Sequence, residues 1–286
     1  MSYTEPVGGH TGWSGGQYSL FRALVGIVLT VREPFLLIPA AAFAIGFYDR
    51  IAAVVLAGGL IALEGRSAFA IVWLLVAHLV LPPAPYGSWA ARGRPNPDGN
   101  WRMPIAVQIG GAFALIASIA LIGGAGPLGA WRDVVLLAIF LVDPGWMPRK
   151  AAKPAIVFYD GHCGLCHRTV RFLLAEDRSG VAFRFAAIGG KNFRSLVPED
   201  KRASLPDSVV LRTTDGTLLA RSEAILEACR RLGGYWRVLA AAARLIPRVL
   251  RDGVYNAIAR RRKRLFGAPE DACPLLAPEL RKRFDN

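Results

Sequence analysis

Lysine is missing from the first 145 residues, which hold eight arginines (Arg22, Arg32, Arg50, Arg66, Arg92, Arg94, Arg102 and Arg132) against seven acidic residues. The remainder carries 27 of the 35 basic residues and 14 of the 21 acidic ones, so almost all of the +14 net charge lies there. A first half this poor in charge, in a chain 53% hydrophobic with a mean hydropathy of +0.34, is not composed like a soluble surface. Cysteine is scarce as well. Four in 286 residues exclude a disulfide scaffold, and two of them stand together in Cys163-Gly-Leu-Cys166, leaving Cys229 and Cys273 alone. No Gly-rich nucleotide fingerprint is present, so no bound flavin or nicotinamide is expected. Residues 1–18 lack a basic n-region and lead into no small-residue cleavage site, so they do not read as a signal peptide.

What the first half has is apolar runs, at residues 20–31, 35–48, 51–63, 69–83, 103–122 and 134–142. A straight span needs about 20 apolar residues, and only the fifth run is clearly that long; the others fit tilted spans or re-entrant pairs. The expectation is an α-helical membrane region over residues 1–147 with four to six spans, and a linker at 148–154. The residues between the fourth and fifth runs hold Arg92, Arg94 and Arg102 against Asp98, and Arg149, Lys150 and Lys153 follow the last run. That bias puts both ends of the last hairpin, and the C-terminal domain, on the cytoplasmic side of the cell membrane. Arg22, Arg32, Glu33 and Asp143 sit at run ends, where they are expected to reach headgroups. His78 is mid-run and is expected to pack against a neighbouring helix.

The second half reads as a soluble α/β domain over 155–286. Residues 155–159 (AIVFY) form a buried strand closed by Asp160-Gly161. Residues 163–177 have helical spacing at Cys166, Val170, Leu173 and Leu174, and 181–187 alternate as a second strand. A short helix near 192–197 precedes strands at 208–212 and 217–220, joined by Thr214-Asp215-Gly216. Ser222 is an expected N-cap for a helix ending at Gly233-Gly234, with two further helices near 235–245 and 250–266. The order β-α-β-α-β-β-α with a C-x-x-C at the first strand-to-helix junction is the thioredoxin-like arrangement. Pro206 precedes the third strand, where that fold places a cis-proline; the isomer is not legible from sequence.

Cysteines three apart share a helix face and lie within disulfide reach. Cys163, in the first helical turn, meets unpaired N–H groups that favour a thiolate, while Cys166 is shielded and acts as the resolving thiol. Exchange then runs through a mixed disulfide on Cys163 that Cys166 breaks. His162 is placed to stabilise the thiolate. Asp160 either handles the resolving proton or simply forms the turn. Two rivals use the same residues: Cys163-x-x-Cys166-His167 fits covalent haem attachment, and His162, Cys163, Cys166 and His167 offer zinc ligands. A cytoplasmic, compact strand–turn–helix disfavours haem, and adjacent ligands with no second C-x-x-C disfavour zinc, so neither metal nor cofactor is expected. Cys229 shares a helix face with Ile225, Leu226 and Leu232 and reads as a buried, inert thiol. Cys273 reads as a surface or packing cysteine.

At Tyr159-Asp-Gly-His-Cys-Gly-Leu-Cys166 the chain resembles the DCC family of thiol–disulfide oxidoreductases, named for an Asp-x-x-Cys-x-x-Cys motif that Asp160, Cys163 and Cys166 match. Leu205-Pro-Asp-Ser-Val-Val210, Arg221-Ser-Glu-Ala-Ile225, Leu232-Gly-Gly-Tyr-Trp236 and Ile246-Pro-Arg extend the resemblance over about residues 154–267. It implies a thioredoxin-like fold and protein-disulfide reductase activity on a disulfide-containing protein or small thiol substrate. A different class stays open: an integral membrane protein whose C-terminal module binds a partner or anionic lipid, with a structural cysteine pair. That alternative draws on Arg260, Arg261, Arg262, Lys263 and Arg264, a basic run beside the apolar Val254, Ile258 and Leu265. Nothing else favours nucleic acid as its partner, and a chain held at a bilayer meets anionic headgroups first.

Overall fold

In the computed structural model, residues 10–91, 101–122, 128–147, 153–160, 163–203, 205–206, 208–266 and 278–285 are described. The chain divides into two compact units between Trp146 and Met147.

Each apolar run of the first unit contains an α-helix: α1 (Gly15–Arg32), α2 (Leu37–Ile45), α3 (Asp49–Glu64), α4 (Phe69–Val80), α5 (Ile105–Ile122) and α6 (Leu128–Leu141). Glu64-Gly65-Arg66 reads as a break in the sequence, yet the backbone continues through a 3-10 turn at Gly65–Ala68. Gly65 takes a φ of +59° there, and Ser67 Oγ donates to the Glu64 carbonyl at 2.8 Å. The third and fourth runs therefore join into one 32-residue apolar stretch, Asp49–Val80. With the 18-residue α5, it gives, among the described residues, two helices long and apolar enough to cross a membrane.

Charges at the run ends turn inward instead of outward. The Arg22 guanidinium is 2% exposed and donates to the carbonyls of Phe43 and Gly87. Arg32 pairs with Glu33 at 2.9 Å and also with Glu64 and Asp133. Asp143 accepts from the backbone N–H of Gly12 at 2.8 Å and Gly145 at 2.7 Å. The expected reach toward headgroups is thus wrong, because a helix bundle with so few polar groups satisfies them against one another and its own carbonyls. His78 packs as expected: its ring stacks on Tyr18, and Nδ1 lies 2.6 Å from the Tyr18 hydroxyl.

The second unit is a mixed α/β domain. Its strands are β1 (Ala155–Tyr159), β2 (Phe183–Ala187), β3 (Val210–Arg212), β4 (Leu218–Ala220) and β5 (Phe284–Asp285), in the order β4-β3-β1-β2-β5. β2 runs parallel to β1 and β5 parallel to β2, while β3 and β4 are antiparallel. This arrangement is consistent with a thioredoxin-like domain. The helices are α7 (Gly164–Glu176), α8 (Lys191–Leu196), α9 (Glu199–Arg202), α10 (Arg221–Leu232), α11 (Gly234–Arg244), α12 (Arg248–Phe266) and α13 (Pro278–Arg281). Alternation along β1 sends Val157 to one face of the sheet and Phe158 to the other. Val157 joins Cys163, Cys166, Leu173 and Leu211 in the larger core, and Phe158 joins Phe193, Val197 and Val210 in the smaller.

One local expectation changes. Ser222 does not cap α10: Arg221 takes a φ of 55° and starts the helix, with Ala220 as N-cap. Asp252 of α12 supplies the carboxylate instead, accepting from Ser222 Oγ and from its N–H at 3.3 Å. That hydrogen bonding holds the Asp252 carboxyl below its usual range. No cis peptide bond occurs among the described residues, so Pro206 follows Leu205 through a trans bond. The segment 278–285, beyond the elements expected from sequence, supplies α13 and β5.

Candidate functional site

The end of β1 and the start of α7 place the cysteine pair. The Cys163 N–H donates to the Asp160 carbonyl at 3.2 Å, closing the strand-to-helix turn, and the His167 N–H donates to the Cys163 carbonyl at 3.0 Å. Cys163 is the N-cap residue of α7, with extended backbone (φ −101°, ψ 113°) and no capping hydrogen bond from its side chain. It thus stands one position before the first helical turn, at the positive end of the helix. Cys166 lies within that turn. Both sulfurs are buried, Cys163 at 7% and Cys166 at 4% exposure, and both are free thiols. The pair is therefore less unequal in exposure than its spacing suggests.

Electrostatics separates the two. Burial is the largest influence on Cys166, pushing its thiol up to about 12. Its hydrogen bond with Cys163 raises it further, a backbone hydrogen bond at Asp160 works against the rise, and the charges of Cys163 and Asp160 add to it. A thiol held protonated beside Cys163 is a donor for negative charge on the Cys163 sulfur. The Asp160 carbonyl closes the turn, and its half-buried side chain is near enough for its charge to act on Cys166. Tyr159 packs edge-on against His167, with 6.3 Å between ring centroids.

His162 and Cys273 lie outside the described residues. Cys229 is half-buried, not buried as expected; burial still pushes its thiol up to about 11. It lines a cavity of ≈ 280 Å³ between α7 and α10 that Leu165, Thr169, Val209 and Ile225 share with a larger one of ≈ 460 Å³. Cys166 forms part of the wall of the larger cavity. Spacing alone did not reveal this groove. Leu250, Val254 and Ile258 recur every four residues along α12, a stripe that spacing shows but whose facing groove it does not.

The comparisons with known proteins agree with this geometry. Residues 157–268 match the DCC1-like thiol-disulfide oxidoreductase family, a stretch that lies wholly within the second unit. The chain is similar to the uncharacterized protein YuxK of Bacillus subtilis (strain 168), 32% identical over 133 residues, which is 45% of this chain and 92% of that protein. It is also similar to the chloroplastic DCC family protein At1g52590 of Arabidopsis thaliana, 32% identical over 126 residues, covering 43% of this chain and 70% of that one. No solved structure matches. The chain belongs to the DCC1-like thiol-disulfide oxidoreductase family.

Proposed function

We propose that this family member is a membrane-tethered thiol–disulfide oxidoreductase of the protein-disulfide reductase type, working through Cys163 and Cys166. The observation that carries the reading is Cys163 at the head of α7 in hydrogen-bond contact with a second free thiol whose proton is firmly held. Cys163 as thiolate attacks one sulfur of the substrate disulfide, breaking that bond and releasing the first substrate thiolate. Cys166 then gives up its proton and attacks the Cys163 sulfur. The mixed disulfide breaks, the second substrate thiol leaves, and the Cys163–Cys166 disulfide forms. Two electrons pass from the pair to the substrate, and an external dithiol must restore them. Asp160 takes the Cys166 proton in the second step.

The decisive experiment compares Cys163→Ser and Cys166→Ser in the full chain. The first is expected to abolish reduction of a disulfide substrate, and the second to accumulate a mixed disulfide. Trapping by Cys163→Ser alone would reverse the roles, and unimpaired turnover in both variants would end the redox reading.

Tethering is supported by the two long apolar helices and by the way α5 is turned. That helix buries only Gly111, Ala114 and Ser118, while Phe113 and Ile116 are 69% and 67% exposed. Small residues inward and large apolar ones outward suit a helix packed in lipid. The reading places the second unit in the cytoplasm, on the arginine bias around the last two helices. The basic run at 260–264 is assigned to anionic headgroups.

A further inference from the structure

The cavity of ≈ 460 Å³ beside Cys166 is walled by α7, α10, α11 and α12, and all of its lining residues are described. Leu250, Val254 and Ile258 form its α12 side and are still 60%, 63% and 47% exposed, so the groove is open along that helix. Eight residues of α12 extend about 12 Å at 1.5 Å per residue. The volume falls within the roughly 300–1,000 Å³ of small-molecule sites.

The walls decide what fits. Apart from Val209 and Ile246 they are helix faces, whose backbone N–H and C=O groups are already bonded within each helix. An extended peptide lying there would leave its own backbone polar groups without partners. An alkyl chain has none to satisfy. The charge at the groove supplies the second criterion. Arg251 in the wall is paired with Glu223 at 2.9 Å, and Arg248 with Asp252 at 3.4 Å. Arg261 stands three residues beyond the lining residue Ile258, on the same side of α12; it is exposed and meets no carboxylate among the described residues. An apolar slot with an exposed guanidinium one turn beyond Ile258 complements one kind of molecule.

We infer that this groove binds a single-chain anionic amphiphile, a long-chain carboxylate, with its alkyl tail between α10 and α12 and its head at Arg261. The tail then lies against the wall that Cys166 helps to form. The inference does not rest on the pair being redox-active.

The test places the full chain in phosphatidylcholine nanodiscs with a diazirine-bearing palmitate, followed by irradiation and peptide mapping. Cross-links are expected on residues 250–259, displaced by excess palmitate but not by palmityl alcohol. Val254→Trp and Ile258→Trp, which fill the slot, should each cut that labelling at least tenfold, as should Arg261→Gln. Unchanged cross-linking of the first-unit helices, and unchanged reaction of Cys163 with a thiol reagent, report that the variants are folded. Absence of labelling at 250–259, or labelling indifferent to both tryptophan variants, would overturn the site. Equal displacement by palmityl alcohol would overturn its choice of an anion.

Discussion

Asp160 holds two roles that one substitution separates. Its carbonyl closes the turn onto the Cys163 N–H, a job Asn does equally well, whereas its carboxylate alone can accept the Cys166 proton. Asp160→Asn is therefore expected to slow turnover about 100-fold while mixed disulfide accumulates, which stopped-flow kinetics with acid quenching will show. Unchanged kinetics would reduce Asp160 to a turn residue. The thiols also differ in a way that pH exposes. With Cys166 pushed up to about 12 and Cys229 to about 11, both stay protonated at pH 8. Iodoacetamide at pH 8 should therefore modify Cys163 ahead of Cys166 and Cys229. Labelling of Cys166 should climb steadily with pH and show no plateau below about pH 11. An ordinary alkylation profile for Cys166, levelling near pH 9, would contradict the burial that holds its proton. The same shift acts on stability. The unfolded chain ionises this thiol above about pH 8.5 while the folded one does not, so its contribution is intact below that pH and is lost as pH rises toward 12.

At the scale of elements, α10 depends on one carboxylate. Glu227 is 8% exposed at its side chain and bonds Arg230 at 2.6 Å and Arg231 at 2.9 Å, and Arg231 in turn donates to the Lys153 carbonyl at 3.0 Å just before β1. Burial works to raise this carboxyl, and the two arginines outweigh it, holding it below the usual range. Glu227→Ala leaves Arg231 buried without its partner, and is expected to destabilise the second unit by about 3 kcal/mol, read from hydrogen exchange of the α10 amides. Because the folded carboxyl is depressed, its stabilisation is present above about pH 4.3 and is lost as pH falls through the lower folded value; the variant should lack that acid loss. Much at this scale was legible in the sequence. Residues 155–159 became β1 with the bounds that Pro154 and Asp160 suggest, and Gly233, with a φ of 74°, ends α10 as its lack of a side chain implies. The cap of α10 was not legible. Ser222 carries the right chemistry, but its hydroxyl goes to Asp252, 30 residues away, and no local pattern encodes that contact. The groove was hidden for the same reason, since its stripe on α12 has meaning only once α7 and α10 stand opposite.

At the scale of the whole molecule, the first unit poses the larger question. α5 presents Gly111 so closely to Leu141 and Trp73 that an added Cβ would meet them at 2.8 and 3.0 Å. Gly111→Leu should thus cost about 1–3 kcal/mol by overpacking, seen as a lower midpoint in detergent melts. The full chain is expected to stay with membranes through alkaline carbonate and to leave only with detergent. A membrane-impermeant maleimide should reach Cys163 from the cytoplasmic face alone. Release by carbonate would make the first unit a soluble bundle, and labelling from the opposite face would invert the topology. The reason sequence leaves the span count open is physical: α3 and α4 join through a 3-10 turn that reads as a charged break, so run lengths and helix lengths differ.

β5 lies against β2 although 101 residues separate Arg184 from Asp285, which are joined at 2.9 Å; Phe284 stacks on Phe185 with 5.2 Å between centroids, and Arg283 reaches Asp177 at 2.5 Å. The family match ends at 268, before Arg283, Phe284 and Asp285. A fragment trimmed to that match would keep both cysteines and yet lay bare the outer edge of β2, a run of Phe-Arg-Phe-Ala-Ala with open backbone donors and acceptors. Unsheathed edges of that kind recruit strands from neighbouring chains. Such a fragment should therefore clump through its β2 edge, while one carried through Asp285 stays dispersed.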